Sequence, residues 1–201
     1  MKPRAPLPPA AARCAPMARR TVLATGLAAL AAGPLARVAR AADLQAAEYQ
    51  IKAAYLSKFA TYIEWQAAPA SEATAPVVIG LIASDAIATE MAGALQGQAV
   101  ASRPIIVRRL EARARMDGLH ILFVARTHLA RVAEALAALQ GRPVLTVTES
   151  DAPGDLGSMI NFIVIDDKVK FDVALPLVVR SGLKISSRLL AVARVVTGRD
   201  S

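Results

Sequence analysis

Two histidines, a run of aspartates and one serine pair are the residues of this chain that could do chemistry. His120 and His128 stand eight residues apart, one at the start of an expected strand and the other at the start of an expected helix. A metal site needs three or four ligands converging on one point. No cysteine or carboxylate is spaced to complete this pair, so hydrogen-bonded or solvated histidines are the simpler reading. Asp151, Asp155, Asp166, Asp167 and Asp172 are dense enough to gather a cation, yet turns and a solvated hairpin edge account for most of them. Ser186-Ser187-Arg188, with Lys184 nearby, invites a nucleophile or an anion site at a helix start. Serine at that place more simply caps the helix. No Gly-x-Ser-x-Gly elbow, phosphate loop or Gly-x-Gly-x-x-Gly motif occurs in residues 42–201. The expectation is a protein without catalysis, metal or cofactor.

Residues suited to binding are easier to name. Trp65 is the only tryptophan. It follows Glu64 and lies near Tyr62, and aromatics concentrate at interface hot spots, although Trp65 could equally cover the core. Asn161, between Ile160 and Phe162, points away from both on a strand. It is either a buried, satisfied amide or part of a binding surface. Arg108, Arg109, Arg113 and Arg115 form a basic cluster. Glu111 and Asp117 interrupt it and no aromatics interleave, so a solvated face is expected and nucleic-acid binding is not.

The charge of the whole chain is misleading. Its 24 basic and 16 acidic residues give +8, but residues 1–41 hold seven of the basic residues and no acid, leaving residues 42–201 at +1. Those first residues read as an export leader. A basic stretch ends at Arg19-Arg20, an apolar run covers Val22 to Ala32, and Ala39-Arg40-Ala41 offers a small-x-small cleavage pattern. The run is about half the ~20 residues that span a bilayer, so no stable membrane insertion is expected. Arg19-Arg20-Thr21-Val22-Leu23 also fits a twin-arginine signal loosely. The only cysteine, Cys14, lies in this leader, so residues 42–201 can form no disulfide or thiolate site.

The elements that must position these residues follow from hydrophobic period. Residues 46–65 read as an amphipathic helix, with Ile51, Tyr55, Leu56, Phe59, Tyr62 and Ile63 on the inner side. The runs Val77–Ile82, Arg103–Val107, Ile121–Val124 and Val144–Val147 have strand length. Helices 85–97, with Ser84-Asp85 as a plausible N-cap, and 128–139 separate them. Ala67 to Pro76 reads as a loop. Short apolar strands alternating with helices predict a mostly parallel sheet covered on both faces. Met159–Val164 and Val169–Val173 flank Asp166-Asp167-Lys168 and predict an antiparallel hairpin. A helix from Leu175 to Ser181 and a last helix from Ser186 or Ser187, carrying Leu189, Leu190, Ala193 and Val196 inward, complete the chain. The fold class is α/β: a single-domain three-layer sandwich with a C-terminal hairpin, in about 160 residues.

Five blocks, in order over residues 46–196, resemble the YfiR family. They are Ile51-Lys52-Ala53-Ala54-Tyr55-Leu56 with Phe59 and Glu64-Trp65; Gly118-Leu119-His120-Ile121-Leu122-Phe123-Val124; Gly141-Arg142-Pro143-Val144-Leu145-Thr146-Val147; Gly157-Ser158-Met159-Ile160-Asn161-Phe162; and Leu183-Lys184-Ile185-Ser186-Ser187-Arg188-Leu189-Leu190. The resemblance implies a periplasmic protein that represses an inner-membrane sensor, the YfiN-type diguanylate cyclase. It would thereby control cyclic-di-GMP signalling and biofilm formation, as a homodimer. Where family members carry a cysteine before the His-Ile-Leu-Phe block, this chain has Leu119, so disulfide control does not transfer. Tyr62, Glu64, Trp65, Asn161, Lys184 and Arg188 are the expected partner-binding residues. A periplasmic solute-binding module serving a transporter or sensor is the second reading.

Overall fold

A computed structural model describes residues 32–65, 75–151 and 157–198. Helix α1 (Ala32–Tyr62) runs into β1 (Ile63–Trp65). There follow β2 (Val77–Ile82), α2 (Asp85–Leu95), β3 (Ala99–Val100), β4 (Arg103–Arg109) and β5 (Ile121–Val124). A 3-10 turn, Arg126–His128, leads into α3 (Leu129–Leu139) and β6 (Leu145–Glu149). The chain then forms β7 (Ile160–Ile165), β8 (Lys168–Ala174), α4 (Leu175–Arg180), β9 (Leu183–Ile185), α5 (Ser187–Val192) and β10 (Val195–Thr197). A boundary between structural units falls after Arg40, and every strand belongs to the unit from Ala41 to Ser201. The expected leader lies outside the described residues up to residue 31, as does most of the expected loop at 67–76.

Eight strands form the main sheet in the order β10-β8-β7-β6-β5-β2-β4-β3. The centre, β4-β2-β5-β6-β7, is parallel throughout, as continuous apolar strands covered on both faces should be. On one face α1 and α2 pack Leu56, Phe59, Met91 and Leu95 against Ile79, Leu81, Ile121 and Phe123. On the other, α3 packs Val132, Leu136 and Leu139 against Ile82, Leu122 and Val124. All four phenylalanines meet in the first of these layers: Phe59 lies 5.1 Å from Phe171 edge to face and 5.7 Å from Phe162 in a stack, and Phe123 lies 6.3 Å from Phe162. The α/β sandwich expected from the sequence is the fold observed.

The hairpin is also where the pattern put it. Ile165 pairs with Lys168, leaving a two-residue turn, Asp166-Asp167, with φ of 50° and 57°. That geometry matches the twist of the flanking strands, and aspartate tolerates it.

Several expected boundaries are corrected. The first helix stops at Tyr62 rather than 65, because Ile63–Trp65 pair antiparallel with Leu183–Ile185. Ile51, expected inside, is 48% exposed, whereas Lys52 beside it is buried. Ser84 takes the N-cap position of α2 but makes no side-chain capping bond. The last helix ends at Val192; Val196, expected on its inner face, stands in β10, parallel to β8. The reason is pairing: β8 would otherwise end the sheet with an open edge, and the β-branched Val195-Val196-Thr197 can close it.

Candidate functional site

The sequence-level site divides into a gathered part and a separate part. The pair β1–β9 sets Ile63 opposite Ile185, Glu64 opposite Lys184 and Trp65 opposite Leu183. Directly opposed residues share a face. Glu64 and Lys184 are exposed, while Ile63 and Leu183 are buried. The N–H of Ser186 donates to the carbonyl of Tyr62 at 2.9 Å, tying the start of α5 to the end of α1. Glu64, Trp65 and Lys184 thus belong to one small two-stranded element, Tyr62 ends the helix that leads into it, and exposed Arg188 follows in the first turn of α5. Ser186 is the cap of that helix, its hydroxyl accepting from the Arg188 N–H at 3.3 Å.

Trp65 is half-buried and packs edge to face on His120, ring centres 5.6 Å apart. Its indole N–H is buried and has no hydrogen-bond partner among the described residues. His120 is held in turn: the Val78 N–H approaches Nδ1 at 3.2 Å and the Arg103 guanidinium approaches Nε2 at 2.9 Å. His120 thus packs against the tryptophan and lies within hydrogen-bond distance of the arginine. His128 contacts the Thr127 hydroxyl at 2.9 Å. Among the described residues no group of three His, Cys, Asp or Glu side chains could hold a metal ion.

Asn161 lies apart from this element. It is 5% exposed, and its amide exchanges hydrogen bonds with the Ser150 backbone (2.8 and 2.9 Å) while accepting from Thr148 at 3.0 Å. It fastens the segment that leaves β6 on its way to β7. The aspartates disperse: Asp151 pairs with Arg126 at 3.1 Å, Asp172 with Arg194, and Asp166-Asp167 make the hairpin turn. Asp155 lies outside the described residues.

The sequence reading missed a buried charged cluster in the second half of α1, about three turns before its end. Lys52 and Glu149 are each 1% exposed and paired, and Lys52 also pairs with Glu48 one turn earlier. Glu149 Oε1 accepts from the Tyr49 hydroxyl and from the Arg126 N–H, both at 2.8 Å. Burial, and then the Glu149 carboxylate beside it, raises the Tyr49 phenol well above its ordinary range, so it remains a neutral donor. A charged carboxylate is tolerated inside only when its lone pairs are met, and here an ammonium, a phenol and a backbone amide meet them. The local signal was slight: one lysine at i+4 from Glu48 on a helix whose neighbours at 53 and 56 are apolar.

These contacts describe a scaffold that carries an exposed two-stranded element, β1–β9. Among the described residues no helix is long and apolar enough to cross a membrane. Curated proteins include no match to the chain. A family model described as YfiR/HmsC-like matches residues 49–194, from Tyr49 at the buried cluster to Arg194 beside β10, and the chain belongs to that family.

Proposed function

We propose that the protein is a periplasmic regulatory binding protein, without catalysis, that inhibits an inner-membrane sensor such as a YfiN-like diguanylate cyclase. It would dock through the β1–β9 patch, with Tyr62, Glu64, Trp65, Lys184 and Arg188 contributing and Asn161 acting from inside. Binding one state of the sensor more tightly than the other holds the sensor in that state, by an amount equal to the difference in affinity. In this reading a homodimer presents two copies of the patch. The export leader, cleaved near Ala41, delivers the chain to the sensor's extracytoplasmic side.

The observation that carries the reading is the convergence of sequence-distant residues, in a chain of the YfiR/HmsC-like family, on one exposed element. Tryptophan, tyrosine and arginine are the residue types enriched at interface hot spots, and Trp65, Tyr62 and Arg188 supply them here, with Glu64 and Lys184 suited to a polar rim. The test is co-purification with the extracytoplasmic region of the cyclase from the same genome. Replacing the exposed Glu64 and Arg188 by Ala should weaken recovery of the cyclase while circular dichroism and melting stay as in the native protein. Unchanged recovery would remove the patch from the interface.

A further inference from the structure

A cleft of about 1340 Å³ opens where the carboxyl ends of β2 and β4 meet the start of α2 and the flank of α3. It stands at the point where the sheet changes direction: from β2 the chain proceeds to β4 on one side, while β5 and β6 extend on the other. Open α/β sheets bind ligands in such a crevice, beyond the carboxyl ends of their strands. The β1–β9 patch is at the opposite, amino end, beside His120.

The floor of the cleft is apolar. Ile82, Met116 and Leu139 are buried there, with Ala112 and Ala135 half-buried beside them. The rim is charged. Arg109, Arg113 and Arg131 are exposed, and none forms an ion pair with a described carboxylate. Arg115 and Arg142 share the single carboxylate of Asp117, at 3.6 and 3.1 Å. With Asp85, Glu111 and Glu134 also present, five guanidiniums face four carboxylates, an excess of one positive charge among these side chains. Arg131 adds a further point: it lies in the first turn of α3, which carries no acid. A cation there opposes the helix dipole, and a bound anion would reverse that penalty.

We propose that this cleft binds a small organic monoanion with an apolar body, its charged head among Arg109, Arg113 and Arg131 and its body on Ile82, Met116 and Ala135. The single excess charge selects a monoanion over a polyphosphate, and the alanines leave the room that its body fills. The site is independent of the docking patch, so this proposal stands or falls separately from the proposed regulation.

The probe is 8-anilinonaphthalene-1-sulfonate, a monoanion on an apolar ring system, titrated calorimetrically into the native protein. One equivalent should bind, more weakly as salt rises. The uncharged analogue N-phenyl-1-naphthylamine should bind much less well. The variant Arg113→Glu/Arg131→Glu, at two exposed positions, should lose roughly tenfold or more in affinity, as expected when charge-assisted contacts are reversed. Ala135→Phe should lose binding by filling the floor, and Arg188→Glu at the other end of the sheet should not. Absence of saturable binding, equal binding of the uncharged analogue, or an unchanged affinity in the double-arginine variant would overturn the proposal.

Discussion

Glu64 and Lys184 stand directly opposite each other across β1 and β9, exposed, while their strand neighbours Ile63 and Leu183 turn inward. An opposite-charge cross-strand pair contributes only about 0.2–1 kcal/mol. This pair therefore does little for the fold and is free to serve a surface. Exchanging the charges, Glu64→Lys with Lys184→Glu, should change unfolding free energy by less than about 1 kcal/mol. The same exchange should sharply reduce recovery of the cyclase region. Full recovery with the exchanged pair would exclude these two residues from the interface.

The pair Lys52–Glu149 is the opposite case. Both side chains are 1% exposed, so deleting the cation leaves a buried carboxylate uncompensated. Lys52→Ala should destabilise by about 3–5 kcal/mol in chemical denaturation. Lys52→Met with Glu149→Gln should recover most of that loss, because the charge disappears with its partner. A small effect of Lys52→Ala would show that water reaches the cluster.

Tyr49 gives this cluster a pH signature. Burial and Glu149 raise its folded-state pKa above the unfolded value of 10.0. A raised pKa means stability that is fully present below the unfolded value and lost as pH rises past it. Unfolding free energy should thus be insensitive to Tyr49 below pH 10 and should fall above it. In Tyr49→Phe that fall should be shallower by one proton. Parallel curves for the two proteins above pH 10 would contradict the buried phenol.

Asp172 and Arg194 hold the last strand to the sheet. Arg194 Nε donates to Asp172 Oδ1 at 2.8 Å, Nη2 bonds Oδ2, and the Arg194 N–H reaches the Phe171 carbonyl at 2.8 Å. Arg194→Ala should cost about 1–3 kcal/mol. It should also raise amide exchange in residues 195–197 more than elsewhere. Uniform exchange would mean that β10 is held by other contacts.

Gly80 in β2 has no room for a side chain. A Cβ there would lie 2.7 Å from Leu110 Cδ1 and 3.0 Å from Leu119 Cδ1, the two leucines that lay the segment between β4 and β5 over the sheet. Gly80→Ala should destabilise by about 1–3 kcal/mol through overpacking. Because the displaced segment forms one wall of the arginine cleft, the variant should also bind the anionic probe less well. A variant as stable as the native protein would show that the leucines give way freely.

Much of the architecture was legible without coordinates. Val77–Ile82, Ile121–Val124 and the two arms around Asp166-Asp167 announce themselves, since an apolar run or a turn residue acts through local preference. Family membership was equally legible in five ordered blocks. Local pattern did not reveal β1, β3, β9 and β10, each only two or three residues long. Strands so short exist only because a distant partner completes their hydrogen bonds. Ile63 needs Ile185, and Val195 needs Asp172 in β8. The site followed the same division. The sequence by itself determined which residues were chemically notable, including Glu64, Trp65, Lys184 and Arg188. Only the tertiary structure decided that Glu64 and Lys184 are neighbours, that Asn161 is interior, and that Lys52 is buried against a glutamate 97 residues away. Burial and long-range pairing are set by which surfaces meet when the sheet closes, and no local period encodes that.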